Sequence, residues 1–179
     1  MNNTNVRKDF EREKHFEGVR LYDQKKYVES LECITSVLEN DQHSHLLDVE
    51  NLLYAGKCLF QMKNYPESLI FFENTLKHFP NHELGLLMKG RCLFEMKKYD
   101  YALNCFEDAI KTNQNNPTTW HWKGKCLSEL KRYEESYKCD SKSTDLYLES
   151  KHNASETNDD FEPSIKGTAL TDSYEKETS

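Results

Sequence analysis

The chain has 179 residues, a formal charge of −7, 31% charged residues and a mean hydropathy of −0.90, which suits one soluble domain or a short repeat array with a tail. Its best apolar run, Leu69-Ile70-Phe71-Phe72, is far shorter than the roughly 18–20 residues of a membrane span. From Asp145 onward nine acids face three bases, a charge of −6, which leaves about −1 for residues 1–144; an acidic chain with a near-neutral body is a poor candidate for binding nucleic-acid backbones.

The first residues, Met1-Asn2-Asn3-Thr4-Asn5, lack the apolar stretch of a secretory signal, so a cytoplasmic location is expected and the sequon at Asn153-Ala154-Ser155 carries little meaning. A pattern then begins: Gly18, Leu21, Lys25-Lys26-Tyr27 and Ser30-Leu31. It returns 38 residues later, after an insertion of four residues near His43–Asp48, as Gly56-Lys57-Cys58-Leu59-Phe60-Gln61-Met62-Lys63-Asn64-Tyr65. It returns twice more at steps of 34 residues, from Gly90 to Tyr99 and from Gly124 to Tyr133. A fixed period of this length is the signature of a repeat architecture.

Each repeat reads as two helices. Leu52, Ala55, Gly56 and Leu59 follow helical spacing, as do Leu86, Gly90 and Leu93. Ser68-Leu69, Phe72 and Thr75-Leu76 form the second stripe, matched by Ala102-Leu103, Phe106 and Ala109-Ile110. Pro66 stands where a helix starts and Pro80 just past where one ends. Small residues at Gly56, Ser68 and Thr75, and at Gly90, Ala102 and Ala109, let the paired helices approach closely.

With Trp120, Gly124, Leu127 and Tyr133 in the last repeat, and Leu52, Ala55, Gly56, Leu59, Tyr65, Ser68, Phe72, Thr75 and Pro80 in the second, this pattern resembles the tetratricopeptide repeat over residues 11–150. The resemblance implies an all-α, short right-handed solenoid of about four helix-turn-helix repeats, near 11–44, 49–82, 83–116 and 117–150. Function follows less closely from fold, and such folds usually bind proteins. The first repeat is degenerate, with Lys14 and Glu17 at apolar places. The second helix of the last repeat carries Asp140, Ser143 and Thr144 where the second repeat has Phe72, Thr75 and Leu76. A polar final helix fits a cap on an open end; partial order over 136–150 is the alternative. Residues 151–179, sparse in apolar side chains, are expected to be a disordered acidic tail.

The six cysteines fall into two columns, Cys58/Cys92/Cys126 and Cys33/Cys105/Cys139. Equivalent residues of stacked repeats lie roughly 10 Å apart, beyond the roughly 7 Å that a disulfide tolerates between Cα atoms, and no Cys-x-x-Cys pair is present. Buried, reduced thiols are expected, with no metal or cofactor. His43/His45 lie in the insertion, and His78 and His82 straddle Pro80 and cannot share a helical face. Gly85–Cys92 only approximates a phosphate-binding loop, lacking its Lys-Ser/Thr and its preceding strand. No catalytic triad or zinc-protease motif occurs, so no enzymatic activity is expected.

In a tetratricopeptide array the first helices line the concave face. There the resemblance places a basic ladder, Lys57, Arg91 and Lys125 (Val19 in the first repeat), and an aromatic ladder, Tyr22, Phe60 and Phe94, ending at Ser128. One turn earlier stand His15, Leu53, Leu87 and His121. Apolar anchors with spaced cations suit an extended or helical protein segment carrying acidic residues. The competing reading pairs the cations with Asp23, Glu95 and Glu129 one turn away. The family's clamp for a partner's C-terminal carboxylate would require basic and amide side chains where His15, Val19, Tyr54, Leu84 and Met88 stand, and is not expected. Lys25-Lys26, Lys63, Lys97-Lys98 and Lys131-Arg132 fall at the turns, where cations complement the helix dipole; a stripe contacting an anionic surface is the alternative reading. The leading expectation is a monomeric adaptor, neither membrane- nor nucleic-acid-binding. A self-regulated version, in which Asp159-Asp160-Phe161-Glu162 occupies the groove, is the alternative, and a metal-binding or enzymatic protein a more distant one.

Overall fold

A computed structural model describes residues 3–38 and 45–156. Among the described residues eight helices run in chain order: α1 (Asn3–Asp23), α2 (Tyr27–Leu38), α3 (His45–Gln61), α4 (Tyr65–His78), α5 (Glu83–Glu95), α6 (Tyr99–Thr112), α7 (Pro117–Glu129) and α8 (Tyr133–Glu156). No strand occurs among them. The all-α repeat architecture stands: helices pack in adjacent pairs, as in tetratricopeptide-repeat solenoids. Two compact units divide the chain, Met1–Tyr147 and Leu148–Ser179; of the second only the end of α8 is described. The expected tail boundary at 150/151 therefore falls inside a helix, and residues 157–179 lie outside the described residues, as does the part of the insertion over 39–44.

Helix starts follow local chemistry. Asn116 Oδ1 accepts from Thr118 N at 2.9 Å and Thr119 N at 3.4 Å ahead of Pro117 at the start of α7. His82 caps α5 by accepting from Gly85 N at Nδ1, 3.1 Å away. That assigns His82 a structural task, while His78 ends α4.

Each helix pair closes on a glycine. A β-carbon on Gly56 would lie 2.8 Å from Phe72 Cε1, and one on Gly90 would lie 2.5 Å from Phe106 Cε1. Only glycine admits these rings at such range, and both rings are fully buried. In the first repeat Ile34 takes the ring's place against Gly18, and in the last Asp140 takes it against Gly124.

The small residue on the facing helix also makes a bond. Ser30, Ser68 and Ser136 donate to the carbonyls of Gly18, Gly56 and Gly124 at 2.7, 2.8 and 2.9 Å. Cys58 Sγ, from the next repeat, donates to Ser30 Oγ at 3.2 Å, and Cys92 Sγ lies 3.2 Å from Ser68 Oγ. Where Ala102 replaces serine, Cys126 Sγ donates to Tyr99 O at 3.0 Å. All six cysteines are free thiols. Burial holds those of Cys92, Cys105 and Cys126 up at about 11, so they pack as neutral groups and not as reactive thiolates.

The polar last helix runs through 136–150. Ser136 holds it to Gly124, Ser143 Oγ donates to Pro117 O at 2.8 Å, and Cys139 and Leu146 are buried. No described helix is long and apolar enough to cross a membrane.

Candidate functional site

The first helices of successive repeats touch, α1 with α3, α3 with α5 and α5 with α7, whereas α2, α4 and α6 do not touch one another. The first helices thus form the tighter, inner row of the unit Met1–Tyr147. Along that row the three cations of the predicted ladder lie on aromatic faces.

Lys57 Nζ sits 4.6 Å from the Tyr54 ring centroid and 6.0 Å from that of Tyr22. Arg91 is clamped between two rings, its Cζ 4.7 Å from Phe60 and 4.7 Å from Trp122. Lys125 Nζ shares the second of these rings, 4.9 Å from the Trp122 centroid. Each such contact is worth about 0.5–1 kcal/mol when exposed and about 2 kcal/mol when desolvated. Burial, the leading cause in both, pulls the Lys57 and Arg91 pKa values down; nearby negative groups, Asp23 foremost for Lys57, oppose it.

The acids of the competing reading, Asp23, Glu95 and Glu129, form no ion pair with these cations, and among the described residues no other ion pair engages Lys57, Arg91 or Lys125. Glu95 and Glu129 instead lie by Tyr65 and Tyr99, whose phenol pKa values rise through burial first and these carboxylates second. Arg91 Nη1 donates to Met88 Sδ at 3.4 Å, and its buried Nε has no acceptor among the described residues. An aromatic face satisfies the charge of a cation but not its N–H groups. The ladder therefore keeps donor capacity that an anion could use.

The remaining predicted residues divide. Tyr22 is half-buried, edge-on to Tyr54 at 5.6 Å, and accepts from Gln61 Nε2 at 3.4 Å. Phe94 is half-buried against Tyr99 at 5.3 Å and Trp122 at 5.5 Å. Half-buried His121 has Nδ1 3.9 Å from Asp140 Oδ1. Phe60, Leu53 and Leu87, by contrast, are only 9%, 6% and 5% exposed and belong to the core between repeats. His15 is buried too, with Nδ1 2.8 Å from Asn51 Oδ1. The column one turn before the cations thus serves packing more than display, because it faces the neighbouring first helix.

Trp122 escaped the sequence reading, and Tyr54 entered it only as a mismatch to the family's clamp, although Trp122 touches Arg91, Lys125 and Phe94 and Tyr54 touches Lys57. Their signal was available: each stands three residues, one helical turn, before a ladder cation. Among the described residues no group of three or more His, Cys, Asp or Glu side chains is arranged to hold a metal ion.

Comparison with known proteins agrees with this architecture. The family model described as tetratricopeptide repeat matches residues 50–82, and that of anaphase-promoting complex, cyclosome, subunit 3 matches residues 68–139. No curated protein matches the chain by sequence. Among solved structures, MamA 41-end from Desulfovibrio magneticus RS-1 is similar with a TM-score of 0.69 at 20% identity, covering 77% of this chain and 76% of its own. TTC0263, a tetratricopeptide-repeat protein of Thermus thermophilus, follows at 0.65 and 16%, covering 76% and 74%. YrrB, described as such a protein with an unusual peptide-binding site, gives 0.63 and 16%, covering 75% and 71%. At these identities the likeness is one of fold. Repeat period, paired helices and family match agree: the chain is a tetratricopeptide-repeat protein.

Proposed function

We propose that this protein is a non-enzymatic adaptor whose inner row of first helices holds an acidic segment of another protein. The observation that carries the reading is the ladder of Lys57, Arg91 and Lys125, three cations held on aromatic faces without a carboxylate partner among the described residues. Ring faces fix the cations in place, so an incoming carboxylate meets charges that are already positioned. Preorganisation of this kind lowers the ordering cost of binding. Tyr22, Phe94, His121, Trp122 and Tyr54 supply half-buried rings beside them; Phe60, Leu53 and Leu87 support the floor from beneath. A monomer in the cytoplasm is the simplest setting for such an adaptor.

The test uses labelled twelve-residue peptides of equal apolar content carrying Glu, Gln or Lys, titrated into the full chain and into K57E/R91E/K125E. Only the Glu peptide binds the parent protein, and the charge-reversed variant binds it at least tenfold more weakly while its far-UV circular dichroism stays helical. Equal affinity of both proteins for the Glu peptide would sink the proposal.

A further inference from the structure

A second set of cations lies away from the inner row, at the turn joining the two helices of each repeat. Lys25, Lys63, Lys97 and Lys131 all adopt positive φ, at 61°, 60°, 60° and 62°. They are the only non-glycine residues with positive φ among those described. In each turn the lysine N–H bonds to the carbonyl three residues back, and the following N–H bonds to the carbonyl five back: Lys63 N to Phe60 O at 2.9 Å and Asn64 N to Leu59 O at 2.9 Å, for example. This helix-ending geometry favours glycine or asparagine, because a β-carbon in the left-handed region costs about 1 kcal/mol.

Four repeats out of four nevertheless carry lysine there. Attraction between a cation and the helix C-terminus is worth about 0.3–1 kcal/mol, but it does not require this position. A lysine in the last helical turn would gain it without positive φ. The side chains are exposed, and together with Lys26 and Lys98 they form one basic edge. None of the six enters an ion pair among the described residues, whereas Arg132 is taken by Glu135 through two bonds of 2.7 Å.

From this we infer that the turn edge is a second interaction surface, distinct from the inner row, that takes an acidic polypeptide segment laid across successive repeats. Equivalent residues of neighbouring repeats lie roughly 10 Å apart, and an extended chain advances about 3.3 Å per residue. One acidic residue in three would thus keep register with the lysines. Exposed Val28, Met62 and Tyr133 beside the turns give a polypeptide apolar footing. Acids next to the turns, Asp23, Glu95 and Glu129, break the basic edge into spaced charges, which suit one carboxylate in three residues better than the dense charge of a phosphate polymer.

The test separates this edge from the inner row. In the full chain, K57Q/R91Q/K125Q silences the inner ladder, and K25G/K63G/K97G/K131G is added to that background. The probe is a labelled twelve-residue peptide with Glu at every third position. The glutamine variant retains salt-sensitive binding, and the four glycines weaken it about tenfold. Glycine accepts positive φ, so thermal unfolding by circular dichroism occurs at the same or a higher temperature. Unchanged binding on adding the glycines, or no binding left in the glutamine variant, would overturn the inference. So would a lower melting temperature, which would assign the lysines to holding the turns. Tighter binding to a twelve-base-pair DNA duplex or to phosphatidylserine vesicles, lost with the glycines, would overturn the choice of a polypeptide.

Discussion

The third and fourth repeats use one backbone design with opposite chemistry at its centre. In the third, Gly90 faces the fully buried ring of Phe106; in the fourth, Gly124 faces the half-exposed carboxylate of Asp140. The third repeat has neighbours on both sides, so its second helix buries an apolar stripe of Ala102, Leu103, Phe106 and Ala109. The fourth holds α8 with hydroxyl-to-carbonyl bonds from Ser136 and Ser143. The contrast teaches that close helix approach needs the glycine but not the ring. What fills the gap depends on whether another repeat follows.

The strongest way to break the comparison is truncation of the two facing side chains. Phe106→Ala removes a buried ring and leaves a cavity, so urea unfolding should register a loss of about 3–5 kcal/mol. Asp140→Ala removes a half-exposed group and should cost less than about 1 kcal/mol. Equal losses would show that both repeats rest on the same packing.

A smaller effect comes from the glycines. A β-carbon at position 90 would lie 2.5 Å from Phe106 Cε1, and the surrounding core leaves that ring little room. Gly90→Ala should therefore cost about 1–3 kcal/mol. At position 124 the nearest atom, Asp140 Oδ1, also lies 2.5 Å away, but it ends a side chain that can swing toward solvent. Gly124→Ala should be the milder change in thermal melts. The reverse order would place the tighter contact in the fourth repeat.

The smallest expected effect is the pH dependence contributed by Asp140 and His121 of the fourth repeat. Burial raises the Asp140 pKa above 3.8, with His121 and Lys125 opposing it. The folded state then binds more protons than the unfolded one between 3.8 and the raised value, so this group's contribution falls as pH rises through that window. Burial and Lys125 lower the His121 pKa below 6.5, with Asp140 opposing them. Its contribution falls as pH drops from 6.5 through the lowered value. Asp140→Asn should remove the first dependence and His121→Gln the second, each read as a flatter profile of melting temperature against pH. A parent profile already flat across both windows would show that neither group is linked to folding.

Much of the fold was legible because periodicity is a local property. Gly56, Gly90 and Gly124 recur at a fixed step, and their helical partners recur with them. The site was less legible. Lys57, Arg91 and Lys125 were found as a column, but their partners are rings from the same and adjacent helices, not the acids one turn away. A helical wheel shows which side chains are close along one helix, and Phe60 against Arg91 is a contact between two. Leu53, Leu87 and Phe60 were read as anchors for a ligand, although all three are buried in the core between repeats. The turn lysines were noticed for their charge, yet their positive φ was invisible, since lysine gives no sign of left-handed backbone.

By itself the sequence determined the all-helical repeat, its period, the glycines that let each pair close, and the separation of acidic C-terminal charge from a near-neutral body. These follow from side-chain spacing along single helices and from counting charges. Only the tertiary structure decided which faces are spent on packing, which cations lie on aromatic rings, and how serine-to-carbonyl bonds hold α8 beside the buried Cys139 and Leu146. Those outcomes depend on the distance and rotation between neighbouring helices, and contacts between helices carry no period that one helix can display.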